Sequence, residues 1–322
     1  RAPDPVLQQV EDFHDGGISA NDAFKPVSRY FDRIVHPAQL LSALPRAIRV
    51  LTDAALCGPV TLALPQDVQA AAFDFPADFF APRVVSFHSP APVAHELDAA
   101  LERLRGAKEP LIVAGGGVLY GRATDALKAF AARHGIPVAE TQAGKGSLAW
   151  DDPLNCGALG VTGSPAANEL AHRADCVLAV GTRLQDFTTG SNTLFTQADV
   201  IGINANAFDG MKHRGVVVEA DARLALEALT ARLGAWRADA GWTERAAQLA
   251  GAWRETLGKL THAPQHEGVL PYDADVIGAV QRSSARSTTD DIVVCAAGTL
   301  PAELHKLWRT GRPGGYHVEY GY

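Results

Sequence analysis

Pro110-Leu111-Ile112-Val113-Ala114-Gly115-Gly116-Gly117-Val118-Leu119-Tyr120-Gly121 is the stretch on which the fold of this 322-residue chain turns. A short apolar run that ends in glycines and passes into 3.6-residue spacing reads as strand, tight turn and helix. The apolar run recurs at Ile136-Pro137-Val138-Ala139, Cys176 to Val180, Val200-Ile201-Gly202-Ile203 and Val216-Val217-Val218. Helical patterns separate several of these runs: Ala123, Leu127, Phe130 and Ala131 share one face, as do Leu224, Ala228 and Leu229 behind an Asp221 cap. Alternation of this kind predicts an α/β fold whose core is a doubly wound parallel sheet, with ligands at the carboxyl ends of its strands. Upstream, Val93, Leu97, Leu101 and Leu104 predict the helix that leads in, and Ser164-Pro165 is a cap followed by a first-turn proline.

Outside this core the pattern is partial. Val27 to Ile34 reads as a strand, a helix begins near His36-Pro37 with Leu40, Leu41, Leu44, Ile48 and Leu51 on one face, and Val60 to Pro65 reads as a buried strand. Strand, helix, strand is too little to bury its own sheet. At the other end Asp273 to Arg282 predicts a helix, Asp291 to Cys295 a strand, and Leu304, Leu307 and Trp308 another helix. Between these ends, Gly234 to about Ala263 reads as a tryptophan-bearing helical segment. With Arg1 at the start and an aromatic run, Tyr316 to Tyr322, at the end, part of a longer polypeptide is expected.

Bulk properties exclude several classes. A net charge of −7 and the lack of a basic stripe argue against a nucleic-acid or anionic-membrane surface. No apolar run approaches the ~20 residues that span a bilayer, and a soluble cytoplasmic protein is the expectation. Cys57, Cys156, Cys176 and Cys295 are far apart and form no Cys-x-x-Cys pair, which predicts reduced thiols. His262, His266, His305 and His317 lack metal-ligand spacing, and Asp151-Asp152 and Asp290-Asp291 read as turn and cap residues.

Two local features leave alternatives open. The glycines Gly115, Gly117 and Gly121 miss the dinucleotide spacing by one place, with Glu140 about where a ribose-binding acid would lie, so they are either a nucleotide cradle or a turn that lets chains pack closely. Gly181-Thr182-Arg183 either holds a phosphate or pairs Arg183 with a carboxylate such as Asp186. Gly144-Lys145-Gly146-Ser147 reads as a flexible loop. No reaction follows from these patterns alone.

The order of motifs adds what the patterns lack. Asp22-Ala23-Phe24, Gly58-Pro59-Val60 through Pro65-Gln66-Asp67-Val68-Gln69, Gly115 to Gly117, Gly135 to Val138, Asp151 to Pro153, Leu159 to Gly163 and Gly181 to Arg183 stand in the order found in the acetolactate synthase group. Over essentially its whole length the chain resembles these thiamine-diphosphate enzymes. Asn21 to Ile34, Ala296 to Trp308 and Tyr316 to Tyr322 are similar to one branch, the trihydroxycyclohexane-1,2-dione hydrolases of myo-inositol catabolism.

That resemblance implies an organisation: 1–75 the last part of a pyrimidine-binding domain, 76–92 a linker, 93–235 the central nucleotide-fold domain, 236–272 a helical connector, and 273–322 the first part of a diphosphate-binding domain. It implies thiamine diphosphate and Mg2+ as cofactors and hydrolysis of a C–C bond in a cyclic 1,2-dione to a deoxy-uronic acid, by addition of the cofactor's ylid to a carbonyl. A homodimer or homotetramer is implied as well. The cofactor-binding stretches would be Gly298, Thr299, Leu300 and Glu319, Tyr320, Gly321; Asp22, Phe24 and Lys25 would border the substrate. The family's activating glutamate would lie upstream of Arg1 and its metal ligands downstream of Tyr322, so no catalytic or metal residue is assigned and this chain alone is expected to be inactive. Flavin-binding synthases carry an aspartate where Asn204 stands, so no flavin is expected. An acetolactate-synthase-like carboligase and a stand-alone dinucleotide-binding module are the alternative readings.

Overall fold

A computed structural model of the chain describes residues 14–15, 18–213, 215–262, 270–284 and 290–319. Its contacts gather into two compact units, 1–89 and 90–322.

In the first unit, β1 (Tyr30–Arg33) pairs in parallel with β2 (Val60–Ala63). The strand begins later than the alternation suggests, because Ala20–Val27 winds into a 3-10 helix closed by Asp22, whose carboxylate accepts from the Ser19 amide at 2.7 Å. Between the strands, helix Leu40–Thr52 runs through Pro45 and buries Ala43 and Ala47. The larger apolar side chains expected to be packed are not: Leu41, Leu44, Ile48 and Leu51 are all exposed. Both strands are half-buried, which corrects the reading of Val60 to Pro65 as a buried strand. Among the described residues this two-stranded ladder packs on that helix and on the 3-10 helix Ala20–Val27, too little of a second layer to cover the remaining apolar surface.

The second unit is built on six parallel strands: β3 (Pro110–Ala114), β4 (Val138–Glu140), β5 (Asn155–Ala158), β6 (Cys176–Val180), β7 (Asp199–Asn204) and β8 (Val216–Glu219). Their spatial order is β5-β4-β3-β6-β7-β8, and every pairing is parallel. The chain thus winds outward one way from β3, returns to β6 and winds the other way, as a doubly wound sheet must. Every residue of β3 and β6 is buried, as expected of strands with helices on both faces. Helices Ala94–Gly106 and Thr124–His134 cover the sheet with Leu97, Leu101, Leu104, Leu127, Phe130 and Ala131, while Val93 stays exposed just before the first of them. In helix Ala222–Leu233 the buried face is Ala222, Ala225, Leu226, Leu229 and Leu233, so Leu224 and Ala228 sit at its margin rather than its centre.

β5 has no apolar alternation to announce it; Gly157 adopts φ +93° there and the register against β4 shifts. It forms at the edge of the sheet, where β4's outer backbone groups need a partner. Helix Ala240–Leu260 lies against β5 and helix Pro165–Arg173. Its Trp242 is buried and donates its indole N–H to the Pro110 carbonyl at 2.8 Å. Beyond it, β9 (Val293–Ala296) and β10 (Tyr316–Glu319) form a two-stranded parallel sheet, with helix Thr299–Leu307 between them in sequence. Leu304, Leu307, Trp308 and Tyr316 pack there on Leu257 and Ile277. β10 lies in the terminal aromatic run, where no strand is evident from periodicity.

All four cysteines are unpaired thiols. Burial pushes those of Cys156 and Cys176 up to about 12, which leaves them protonated and inert at neutral pH.

Candidate functional site

The two stretches expected to meet the cofactor are brought together at the carboxyl ends of adjacent strands. Ala296 ends β9 and pairs with Glu319, which ends β10; the Ala297 amide donates to the Glu319 carbonyl at 3.1 Å. Gly298 follows at φ +140°, in open space where only Pro301 Cδ, at 3.9 Å, would approach an added Cβ. A side-chain-bearing residue would be strained in that conformation. Gly298, Thr299, Leu300 and Glu319 are all exposed, and Thr299 opens a nine-residue helix. Exposed amides at the first turn of a helix favour an anionic group. Tyr320 and Gly321 lie outside the described residues.

A buried polar network sets this turn against the sheet. Gln142 Nε2 donates to the Tyr316 hydroxyl at 2.9 Å and lies 3.3 Å from the Pro301 carbonyl. His305, 1% exposed, places Nε2 at 3.2 Å from the Glu140 carbonyl and Nδ1 at 3.0 Å from the Thr162 hydroxyl. A carbonyl only accepts, so the proton sits on Nε2 and Thr162 donates to Nδ1. Burial, with the nearby Lys145 charge adding to it, pushes the imidazole down to about 3, and His305 is neutral at physiological pH. It is a packing histidine, as its spacing suggested. No cluster of metal-ligating side chains occurs among the described residues.

The loop read as flexible is in fact the anchor of that network. Gly144, Lys145, Gly146 and Ser147 are buried, because the Glu140 carboxylate accepts from the Gly146 and Leu148 amides at 3.1 and 3.0 Å and folds the loop back on itself. Burial raises Glu140, with Lys145 and the loop amides opposing; burial also lowers Lys145 to about 8 against the pull of Glu140. Glu140 therefore serves its own loop, and the ribose-acid reading of it does not hold.

The glycine run answers the first open alternative in favour of packing. A Cβ on Gly117 would fall 2.6 Å from Gly181 Cα, and one on Gly181 would fall 2.5 Å from Gly117 Cα. The loops after β3 and β6 thus meet backbone to backbone at the point where the sheet reverses direction. Asn204 joins them, donating from Nδ2 to the Thr182 carbonyl at 2.9 Å, a bond that an aspartate could not make. Arg183 is exposed and, among the described residues, forms no ion pair, so the pairing with Asp186 is not seen; Asp186 accepts instead from the Ser191 hydroxyl at 3.2 Å.

In the first unit, Asp22 is spent on structure. It binds Lys25 and Arg33 at 2.8 Å each, and Lys25, the Ser19 amide and Arg33 hold its carboxyl down to about 2. Phe24 and Lys25 are exposed, with the Lys25 ammonium 5.4 Å from the centre of the Phe31 ring. These two can meet a ligand; Asp22 shapes the turn that presents them.

Sequence reasoning passed over one group altogether. Lys145, Arg309 and Thr310 converge on a cleft beside helix Ala240–Leu260. The only local signal was a lysine between two glycines.

Residues 97–229 match the family model "Thiamine pyrophosphate enzyme, central domain". The chain is 43% identical to a 3D-(3,5/4)-trihydroxycyclohexane-1,2-dione hydrolase of Clostridium perfringens, over all of this chain and 54% of the relative. Proteins of the same name from Geobacillus thermodenitrificans and Bacillus cereus are 42% and 41% identical, again over all of this chain and 53% of theirs. The chain spans about half the length of the curated relatives it matches. These matches bear out the resemblance read from the motifs.

Proposed function

We propose that this chain, whose residues 97–229 match the thiamine pyrophosphate enzyme central-domain family model, is part of a hydrolase that opens a cyclic 1,2-dione by cleaving a C–C bond. The observation that carries this reading is the 43% identity across the entire chain to a trihydroxycyclohexane-1,2-dione hydrolase. The substrate would be the trihydroxy dione itself, the product an open-chain deoxy-uronic acid, and the setting inositol degradation in the cytoplasm.

Thiamine diphosphate, when bound, supplies an electron sink for breaking a C–C bond next to a carbonyl. Gly298, Thr299 and Leu300 would face its diphosphate side, and their exposure, together with a backbone conformation suited to glycine, fits that use. Glu319, at the neighbouring strand end, would lie on the same side, with Tyr320 and Gly321 beyond it. Phe24 and Lys25 would border the substrate, and Asp22 would hold them in place. An accompanying Mg2+ would be held by residues outside the described ones, which contain no ligand cluster. A homodimer or homotetramer is the assembly expected with such a site. The division by domain origin that we infer is 1–75, 76–92 as linker, 93–235, 236–272 as connector and 273–322.

No flavin belongs to this central domain in our reading. The backbone contact of Gly117 with Gly181, the Asn204 bond to Thr182 and the use of Glu140 by its own loop all support it. Denaturing the full-length protein and finding a yellow chromophore in the supernatant would refute it.

The decisive experiment supplies the full-length protein with thiamine diphosphate, Mg2+ and either the dione or pyruvate, and follows the products by mass spectrometry. Product that depends on the cofactor is expected. Condensation of pyruvate without ring opening would overturn the reading in favour of a carboligase.

A further inference from the structure

Beside β4, β5 and helix Ala240–Leu260 lies a cleft whose wall carries Lys145, Arg254, Lys306 and Arg309 against a single acid, Glu140. Glu303, which pairs with Lys306 at 3.0 Å, offsets one cation, and two positive charges remain in excess. Glu140 is already counted in that balance: it pulls on Lys145 while its carboxylate accepts from the amides of Gly146 and Leu148.

The donors are as uncompensated as the charges. Lys145 is 6% exposed, and among the described residues its ammonium makes no hydrogen bond or close ion pair; it feels the Glu140 charge at longer range and lies 5.8 Å from the centre of the Tyr316 ring. Thr310 is 3% exposed and its hydroxyl is buried without a partner, as is Arg309 Nε. Arg254 spends Nη2 on the Asp152 and Asn155 carbonyls, which fixes its charge in the wall without neutralising it. A buried ammonium and buried N–H and O–H groups without acceptors are costly unless something fills them. Water would satisfy the hydrogen bonds and leave the charge. An oxyanion satisfies both, since it only accepts and carries the missing sign.

We propose that this cleft binds a small oxyanion of the phosphate class, held by Lys145, Arg309 and Thr310, with Lys306 and Arg254 supplying field. The cleft has a volume of about 40 Å³, so the room inside suits a group of a few heavy atoms. The same chemistry is offered by free phosphate and by the phosphoryl group of a small metabolite. This inference does not rest on the proposed hydrolase reading and survives its failure.

The test titrates inorganic phosphate, and separately glycerol phosphate, into the full-length protein at constant ionic strength, without thiamine diphosphate, and reads affinity by calorimetry. Saturable binding of phosphate at one site per chain is expected, weakened roughly 30-fold by Lys145→Met. Lys306→Gln and Thr310→Val, which disturb the fold less, are each expected to weaken it several-fold. Binding of glycerol phosphate as well assigns the cleft to phosphoryl groups, and binding of phosphate alone assigns it to the free anion. Either result supports the proposal. Equal heats from chloride or nitrate, or a phosphate affinity unmoved by Lys306→Gln and Thr310→Val, would overturn it, the latter by placing the anion elsewhere, as at the Gly298 turn.

Discussion

β2 in the first unit and β6 in the second are both short apolar strands in parallel ladders, yet β2 is half-buried throughout and β6 buried throughout. The ladder chemistry is the same in the two places. What differs is the layer above and below: β6 lies between flanking strands with helices on both faces, whereas among the described residues β1 and β2 pack on helix Leu40–Thr52 and the short 3-10 helix Ala20–Val27, with Leu41, Leu44, Ile48 and Leu51 left exposed. Parallel strands depend on burial for their stability, so the contrast between the units is one of completed layers rather than of hydrogen bonding.

Identical substitutions in the two units should break or confirm that contrast. The largest effect is expected for Ile112→Ala, at the fully buried centre of β3, with a loss of about 3–4 kcal/mol; Ile48→Ala, on the exposed helix face, should cost less than about 1 kcal/mol in this chain. All five tryptophans lie in residues 90–322, so fluorescence-monitored urea unfolding reads the second unit alone. Amide hydrogen exchange reads the first. Similar losses at both positions would mean that the face of helix Leu40–Thr52 is covered.

Glycines make the second comparison. Gly181→Ala puts a Cβ against backbone, 2.5 Å from Gly117 Cα, at φ +60°, and should cost about 2–3 kcal/mol by urea midpoint. Gly58→Ala meets Arg29 Cγ at 2.3 Å, which an exposed side chain relieves by turning about its first bond, and at an ordinary backbone conformation it should cost less than Gly181→Ala.

Acid should separate the units by pH window. Folded His305, lowered to about 3, gives up a proton that the unfolded chain binds below its ordinary 6.5, so stability falls as pH drops from 6.5 toward 3. By pH 5 this amounts to about 2 kcal/mol, and His305→Gln should flatten that part of the urea-midpoint profile. Asp22, lowered to about 2, also favours unfolding on acidification, but only as pH falls from its ordinary 3.8 toward 2. A first unit that loosens before the second between pH 6.5 and 5, seen by hydrogen exchange, would contradict this order. The smallest effect is expected for Lys259→Ala, which removes an exposed pair with Glu255 and should change the midpoint by less than about 0.5 kcal/mol.

Much of the second unit was legible in the linear pattern. β3, β4, β6, β7 and β8 were marked by apolar runs, and the caps at Ser164 and Asp221 stand where their residue types placed them, Ser164 accepting from the Ala167 amide at 3.2 Å. β5 and β10 were missed because edge strands of mixed composition carry no periodicity of their own. In the candidate site, the nearness of the Gly298 turn to Glu319 followed from no spacing; it came from the pairing of β9 with β10. The Lys145 loop was misread for the same kind of reason, since glycines mark freedom locally while the acid that removed it lies on the preceding strand.

The linear order of residues by itself determined the class of this protein: which segments become strands and helices, which faces are apolar, and which motif order it shares with its relatives. Only the tertiary structure decided that Gly117 and Gly181 pack on one another, that Glu140 closes its own loop, that Gln142 reaches Tyr316, and that Lys145 ends in a cationic cleft. Periodicity records a residue's environment along one element, a few residues at a time. Charge balance, close backbone approach and the partners of buried polar atoms depend on neighbours brought in by chain crossover, and no local pattern encodes those distances.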